Sequence, residues 1–294
     1  MLHHPDSTTY EQTLVATEQF LRQIGETHWA DWLREDINAW QTQRDVSHHR
    51  RAYGGMGSFN DVVISDTNEH HVTAEQVPWA SCLFEWLRAL LFQLSMSPCA
   101  IPKADELRKV VGRHNSSWAV FLGGGRPAES SQGLTDTEVK ISGFRCLACG
   151  YAEITSRDID TAIANAIVPI LLFEACERST LLDAIKRVLA LELPDLEDRR
   201  NRLITAAQAS NVQIASRETW MRPCPNCRAD DSAIYRWTYV DGSPPKLSPT
   251  LDNSRLRASA SPDQQQHYKL QRWTSAARFF TGIRNWFYRR FDIL

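Results

Sequence analysis

Apolar residues recur at helical spacing through the first third of the chain. The first run, from Leu14 to Ile24, ends at Gly25, a residue typical of a helix C-terminus. A second run between residues 29 and 40 places three tryptophans along one stripe. A third runs from Thr73 to Ser95 with a wide apolar face. These patterns predict a helical domain over residues 1–97.

Beyond the Pro-rich break at residues 97–102, strand-like and helical runs alternate. β-branched and aromatic residues favour strands at 118–122, 138–141, 151–155 and 233–240, and helical spacing favours helices at 103–111, 158–176, 180–193 and 195–209. The pattern predicts a second domain over residues 98–240, with a helical insert at about residues 156–212.

The last part of the chain changes character twice. Residues 241–266 are rich in Pro, Ser, Asp and Gln, which favours a linker. Residues 267–294 then predict a basic amphipathic helix, with Lys269 and five arginines against one acid, Asp292. Its apolar face is a predicted partner-binding surface: Trp273, Phe280, Ile283, Phe287 and Phe291. Three partners remain open for it, namely the body of the chain, a protein or anionic membrane surface, and nucleic acid.

Together these elements predict an α+β fold that is mostly helical. A length of 294 residues suits about two domains, and 43% hydrophobic residues are enough for a buried core. The formal net charge of −2 argues against a surface devoted to nucleic acid. Residues 1–6 lack the basic start and apolar run of a secretory signal, and no uncharged apolar run reaches about 18 residues. We therefore expect a cytoplasmic protein.

Two Cys-x-x-Cys turns carry the clearest chemistry. Cys146 and Cys149 form the first pair and Cys224 and Cys227 the second, so four thiolates are available to one tetrahedral ion. We expect one structural Zn²⁺ per chain. Strand-like flanks make residues 138–240 look like a zinc ribbon, although ribbons usually separate their turns by about 15–20 residues.

Other readings of these cysteines are a redox dithiol or a pair of disulfides. A catalytic zinc is disfavoured because four sulfurs would leave no position for water. Three arginines flank the cysteines and would offset the charge of four thiolates: Arg145, Arg222 and Arg228.

A glycine-rich segment from Gly54 to Asp61 precedes a short β-like run. It lacks the Lys-Ser/Thr of a phosphate loop and the strand-turn-helix context of a dinucleotide fingerprint. The glycines favour a structural turn, which the polar side chains that follow would hydrogen-bond. The alternative is a small polar pocket formed by Ser58, Asn60 and Asp61, with His48 or His49 nearby.

With the Trp29 and Trp32 helix, this Gly-Gly-Met-Gly-Ser-Phe-Asn-Asp segment resembles a small bacterial domain family of unknown function. Members carry a similar Trp-containing helix and a Gly-Gly-Met-Gly-Ser-x-Asn-Asp motif. The resemblance covers about residues 8–75 and implies no activity.

Paired histidines at 48–49 and 70–71 do not favour a second metal site, because adjacent side chains point in different directions.

The leading functional hypothesis is a non-catalytic bacterial interaction protein, an adaptor or an immunity-type neutraliser. A nucleic-acid-binding zinc ribbon is the alternative, with basic and stacking groups that include Arg145, Arg228, Arg236, Trp237 and Tyr239. An enzyme using Ser58, Asn60 and Asp61 is the third hypothesis.

Overall fold

A computed structural model describes eight stretches of the chain: residues 7–54, 57–66, 68–98, 138–146, 148–216, 224–229, 232–240 and 246–248. The predicted helix at 103–111, the strand at 118–122 and the C-terminal helix at 267–294 lie outside them. Most of the predicted linker, residues 241–266, also lies outside.

The N-terminal part is helical, as its apolar periodicity predicts. Its elements are α1 (Ser7–Gln23), α2 (Thr27–Gln43), the short α3 (Ser47–Arg51), a 3₁₀ turn (Phe59–Asp61) and the long α4 (Val77–Met96). Gly25 separates α1 from α2 with a φ of +85°, a conformation that glycine adopts without steric cost. The N–H of Glu26 then bonds to the carbonyl of Leu21, which satisfies the end of α1.

Three further helices follow in the predicted insert: α5 (Ser156–Glu177), α6 (Leu181–Leu189) and α7 (Leu196–Ala209). The start of α5 is fixed by Thr155, whose hydroxyl accepts from the N–H of Asp158 while the Asp158 carboxylate accepts from the N–H of Thr155. Arg200 on α7 donates two hydrogen bonds to the buried Asp160 on α5, at 2.7 and 3.0 Å. This bidentate pair holds α7 against α5.

A small sheet contains the strands β1 (Glu138–Cys146), β2 (Ala152–Thr155), β3 (Gln213–Ala215), β4 (Ser232–Val240) and β5 (Lys246–Ser248). Their order is β3-β2-β1-β4-β5, with β2 and β3 parallel and the other neighbours antiparallel. β1 is central and pairs with β4 along its whole length, from Glu138 opposite Val240 to Cys146 opposite Ser232. β5 pairs with β4 inside the segment whose composition favoured a linker.

One hydrophobic core extends through the helices and one face of the sheet. It includes residues of α1, α2 and α4 together with Ile141 on β1, Ile154 on β2 and buried residues of α5, α6 and α7. Gln76, next to α4, donates to the carbonyl of Leu189 at the end of α6 at 2.8 Å. The helices on the two sides of the predicted boundary near residue 98 therefore share a core.

Among the described residues, α5 is long and apolar enough to cross a membrane, with a mean hydropathy of 1.6 over its most apolar window. In this structure 67% of that window is buried inside the protein. A central helix of a water-soluble core has the same composition, so this property alone does not assign α5 to a membrane.

Candidate metal centre

The four cysteines of the two Cys-x-x-Cys turns lie together at one end of the sheet. Knuckle 1 is the turn that carries Cys146 and Cys149, and it connects β1 to β2. Knuckle 2 carries Cys224 and Cys227 and precedes β4. Because β1 and β4 are neighbours in the sheet, their pairing brings the two knuckles side by side.

The two knuckles have the same backbone design. In each, the residue four positions after the first cysteine has a positive φ, +75° at Gly150 and +62° at Arg228. The N–H of that residue donates to the carbonyl of the first cysteine, at 3.0 Å in knuckle 1 and 2.9 Å in knuckle 2. Glycine suits this position, whereas the arginine of knuckle 2 adopts it at a steric cost.

Backbone hydrogen bonds continue the symmetry. The first cysteine of each knuckle donates its own N–H to the carbonyl five residues on, from Cys146 to Tyr151 at 2.8 Å and from Cys224 to Ala229 at 2.9 Å. The N–H groups of Tyr151 and Ala229 in turn donate to the sulfurs of Cys149 and Cys227. These bonds fix the backbone of each turn and the position of its second sulfur.

The sulfurs of all four cysteines lie within 4.8 Å of one another. Two of the sulfur pairs that cross between the knuckles lie 3.6 Å apart (Cys146 and Cys227) and 3.7 Å apart (Cys149 and Cys224). A tetrahedral Zn²⁺ with Zn–S bonds of about 2.3 Å separates its sulfurs by about 3.8 Å. The four sulfurs are therefore close enough to hold a metal ion, and the two cross-knuckle distances are near the value expected for a tetrahedral thiolate site.

Burial divides the cluster into an inner and an outer half. Cys146 and Cys224 are buried against Phe144, with Tyr151 and Ala229 packed around them, while Cys149 and Cys227 are exposed. Phe144 and Cys146 occupy alternate positions of β1, and so lie on the opposite face from Val139 and Ile141, which join the main core. The cluster thus has its own small apolar support.

The ionisation of the thiols is uneven. Asn226 of knuckle 2 donates from Nδ2 to Cys149 Sγ at 3.5 Å, and this bond, with the N–H of Tyr151, lowers the pKa of Cys149 to about 6. Burial raises the pKa of Cys146. The N–H of Ala229 favours a thiolate at Cys227, but its hydrogen bond with Cys149 and its partial desolvation together raise its pKa to about 12. Without a metal, Cys149 therefore ionises before Cys146 and Cys227.

Of the three arginines expected to offset the thiolate charge, the structure describes the side chain of Arg228, which is exposed on knuckle 2. Arg222 lies outside the described residues. The backbone of Arg145 lies on β1 opposite Ala233, one position before Cys146. The Trp273 to Phe291 surface of the predicted C-terminal helix also lies outside the described residues.

Within the glycine segment, residues 57–61 form a turn in which the side chains of Ser58 and Asp61 bond to the turn itself. Gly57 has a φ of +75°. Ser58 Oγ accepts from the N–H of Asn60 at 3.3 Å, and the Asp61 carboxylate accepts from the N–H of Ser58 at 3.0 Å. The carbonyl of Asn60 accepts from the buried Arg88 on α4 at 3.1 Å. These bonds fasten the 3₁₀ turn to the helices.

A buried polar cluster on α2 and α3 is not predicted by the sequence pattern. Asp36 accepts from His48 Nδ1 at 2.5 Å and from His49 Nδ1 at 2.7 Å, so the adjacent histidines share one carboxylate. His49 Nε2 contacts the hydroxyl of Tyr53 at 3.1 Å, and that hydroxyl donates to the carbonyl of Arg88. The sequence does contain one indication of this cluster. Asp36 lies on the apolar stripe of α2 with Leu33 and Trp40, where a carboxylate would be buried and would need hydrogen-bond donors.

The structure thus describes a mostly helical α+β protein with a small sheet and a four-cysteine cluster able to hold a metal ion. Residues 22–73 match a family model described as a domain of unknown function (DUF6966). The match covers α2, α3 and the glycine segment, within the region of the expected resemblance. Searches of curated proteins and of solved structures found no match.

Proposed function

We propose that the cysteine cluster binds one structural Zn²⁺ and that the chain is a non-catalytic, zinc-stabilised interaction protein of the cytoplasm, an adaptor or an immunity-type neutraliser. The observation that carries the zinc assignment is the pair of cross-knuckle sulfur distances, 3.6 and 3.7 Å. Four soft thiolates in a tetrahedral arrangement suit Zn²⁺. They fill its coordination shell, which favours a structural role over catalysis.

The position of the cluster in the fold indicates what a bound zinc ion would stabilise. Cys146 ends β1 and Cys224 lies just before β4, so one ion would join the two knuckles at the same end of this strand pair. The chain between the knuckles contains α5, α6 and α7. Zinc would therefore hold both ends of the insert together, in a ribbon split by about residues 156–212.

The interaction role is supported by how the polar candidates are used. Ser58 and Asp61 cap their own turn, and the carbonyl of Asn60 binds Arg88. The side chains of Ser58 and Asp61 therefore serve the fold, which favours a binding role over an enzyme that uses them. The predicted partner-binding surface remains the aromatic face from Trp273 to Phe291.

Metal analysis of the full chain, purified without a metal-affinity tag, tests the zinc assignment. We expect about one equivalent of zinc per chain. Less than about half an equivalent of any metal, with four reactive thiols in the cluster, would overturn it. Iron in place of zinc would give a coloured protein with thiolate charge-transfer bands and would also reject the assignment.

The interaction role is tested by capture from cells of the source organism, followed by quantitative mass spectrometry. The native chain is compared with a Phe280→Glu, Phe287→Glu double variant, and Arg278→Gln serves as a control on the same predicted helix. We expect one protein to be enriched on the native chain and on the control and lost from the double variant. Recovery with lipid vesicles instead would identify the segment as a membrane contact.

Nucleic-acid binding is the second candidate, favoured by the exposure of Arg228 beside the cluster. Titration of mixed DNA and RNA at increasing salt tests it. Phosphate neutralisation would make log K fall steeply with log salt, and Arg228→Ala would reduce that slope by about 1. Binding that is absent at low salt would remove this candidate.

A further inference from the structure

Each exposed sulfur of the cluster faces a buried sulfur of the other knuckle. Cys227 lies 3.6 Å from Cys146, and Cys149 lies 3.7 Å from Cys224. Cys149 and Cys227 are exposed, whereas Cys146 and Cys224 are buried. The two short distances therefore pair an accessible thiol with a protected one across the interface of the knuckles.

We propose that the cluster is also a redox switch, in which a hydroperoxide converts the four thiolates into two cross-knuckle disulfides, Cys146–Cys227 and Cys149–Cys224, and releases the metal without unfolding the sheet. The release of zinc rests on the proposed function. The disulfide pattern rests on the sulfur positions alone.

The chemistry proceeds in two steps at each pair. The exposed thiolate attacks a peroxide oxygen, which breaks the O–O bond and gives a sulfenic acid and a hydroxide or alkoxide ion, and that ion takes a proton from water to become water or an alcohol. The buried sulfur of the other knuckle then attacks the sulfenic sulfur, forms the S–S bond and expels the second oxygen as water. For hydrogen peroxide, one zinc tetrathiolate, two H₂O₂ and four H⁺ give Zn²⁺, two disulfides and four H₂O.

All four sulfurs lie within 4.8 Å of one another, and the predicted pairing is based on the two cross-knuckle distances. Both cross-knuckle sulfur pairs need to close by less than 2 Å to reach an S–S bond of about 2.0 Å. The two bonds would connect the same two knuckles that zinc connects. They would close loops whose ends are 81 and 75 residues apart in the sequence. After oxidation, two disulfides would therefore join knuckle 1 to knuckle 2 in place of the metal ion.

The test is a titration of the reduced, zinc-loaded full chain with H₂O₂. Released zinc is followed with a chromogenic chelator, free thiols with a disulfide reagent, and disulfides by mass spectrometry of peptides cut without reduction. We expect the loss of the four cluster thiols, release of the bound zinc, and the two cross-knuckle peptides. The far-UV circular dichroism should remain that of the reduced protein, and dithiothreitol with Zn²⁺ should restore the starting state.

Cys82→Ala with Cys176→Ala provides a matched control, because both residues are buried away from the cluster. This variant should give the same two peptides. Within-knuckle disulfides, sulfinic acids, or loss of helical signal on oxidation would overturn the proposal. If the reduced protein contains no zinc, the proposed function fails, while the peptide map of the metal-free chain still decides the disulfide pattern.

Discussion

Asp36 and His49 are joined inside the protein by a hydrogen bond of 2.7 Å between Oδ2 and Nδ1, and each side chain is 1% exposed. The other carboxylate oxygen of Asp36, Oδ1, is hydrogen-bonded to His48 Nδ1, and Nε2 of His49 is hydrogen-bonded to the hydroxyl of Tyr53. This relationship connects α2, α3 and the loop that leads to the glycine turn. A buried network of this kind is costly to break, because its remaining members lose their partners.

Asp36→Ala should lower the free energy of unfolding by about 3 kcal/mol or more, since it leaves two histidines without their acceptor. Chemical denaturation at one fixed pH measures the change. Glu35→Gln is the matched control on the same helix: Glu35 is 72% exposed and contacts His48 at 3.3 Å, and its change should stay within about 0.5 kcal/mol. Equal stability of the two variants would show that the cluster does not support the fold.

Cys224→Ser should abolish metal binding and lower the melting temperature of the zinc-loaded chain. The reason is that metal binding energy contributes directly to the stability of a structural site. Elemental analysis and thermal unfolding followed by circular dichroism measure both effects. Cys82→Ala is the control, a buried thiol outside the cluster whose variant should keep its metal. A Cys224→Ser chain that binds metal and melts like the parent would contradict a structural site.

Gly150→Ala and Arg228→Gly should have opposite effects on the two equivalent knuckle positions. A Cβ at Gly150 meets no other atom within 4 Å, so the cost comes from the backbone at φ +75° alone, about 1 kcal/mol. Arg228 already bears that cost at φ +62°, and glycine should recover about 0.5 kcal/mol of it. Denaturant midpoints of the zinc-loaded variants measure both changes. Loss of stability in both variants would argue against equivalent backbone strain.

Zinc affinity should rise with pH. The pKa of Cys227 is raised to about 12 and that of Cys146 is raised by burial, so both are protonated at neutral pH and lose protons when zinc binds. The pKa of Cys149 is lowered to about 6, so its proton competes with zinc only below about that pH. Affinity should therefore fall more steeply below about pH 6.

Two measurements check this pH dependence. Competition with a chelator from about pH 5 to 8 gives the affinity at each pH. Calorimetry in two buffers with different ionisation enthalpies gives the number of protons released per zinc. A binding enthalpy that is independent of the buffer at neutral pH would contradict the predicted release from Cys146 and Cys227.

A fragment of residues 22–73, the segment matched by the family model, should not fold by itself. Its core positions Leu33, Ile37 and Phe59 belong to a cluster that continues into α1 and α4. Circular dichroism and the dispersion of amide NMR signals measure folding, and a cooperative unfolding transition of the isolated fragment would contradict this expectation.

Local features of the sequence were sufficient to place most of the described helices and strands. The apolar periodicity predicted α1, α2, α4 and the three insert helices, because the side chains that face a core repeat with the period of the helix. The strand-like runs at 138–141, 151–155 and 233–240 correspond to β1, β2 and β4. β3 and β5 have three residues each, too few for a recognisable alternation.

The cysteine spacing also predicted the candidate metal centre, because Cys-x-x-Cys fixes two sulfurs in one turn. The two turns meet only because β1 pairs with β4. This pairing brings together Cys149 and Cys224, which are 75 residues apart in the sequence. The unequal exposure of the four thiols is likewise a result of packing around Phe144. Neither property is encoded in the spacing itself.

The buried histidine cluster depends wholly on tertiary structure. Spacing along the chain suggested that His48 and His49 point in different directions and so do not act together. In the structure their ring nitrogens reach different oxygens of one carboxylate, because α3 packs across α2 at Asp36. The sequence determined most of the elements and the four cysteines of the candidate metal centre. The choice of polar partners required the packing of one helix on another, since side chains distant in sequence meet only when the core forms.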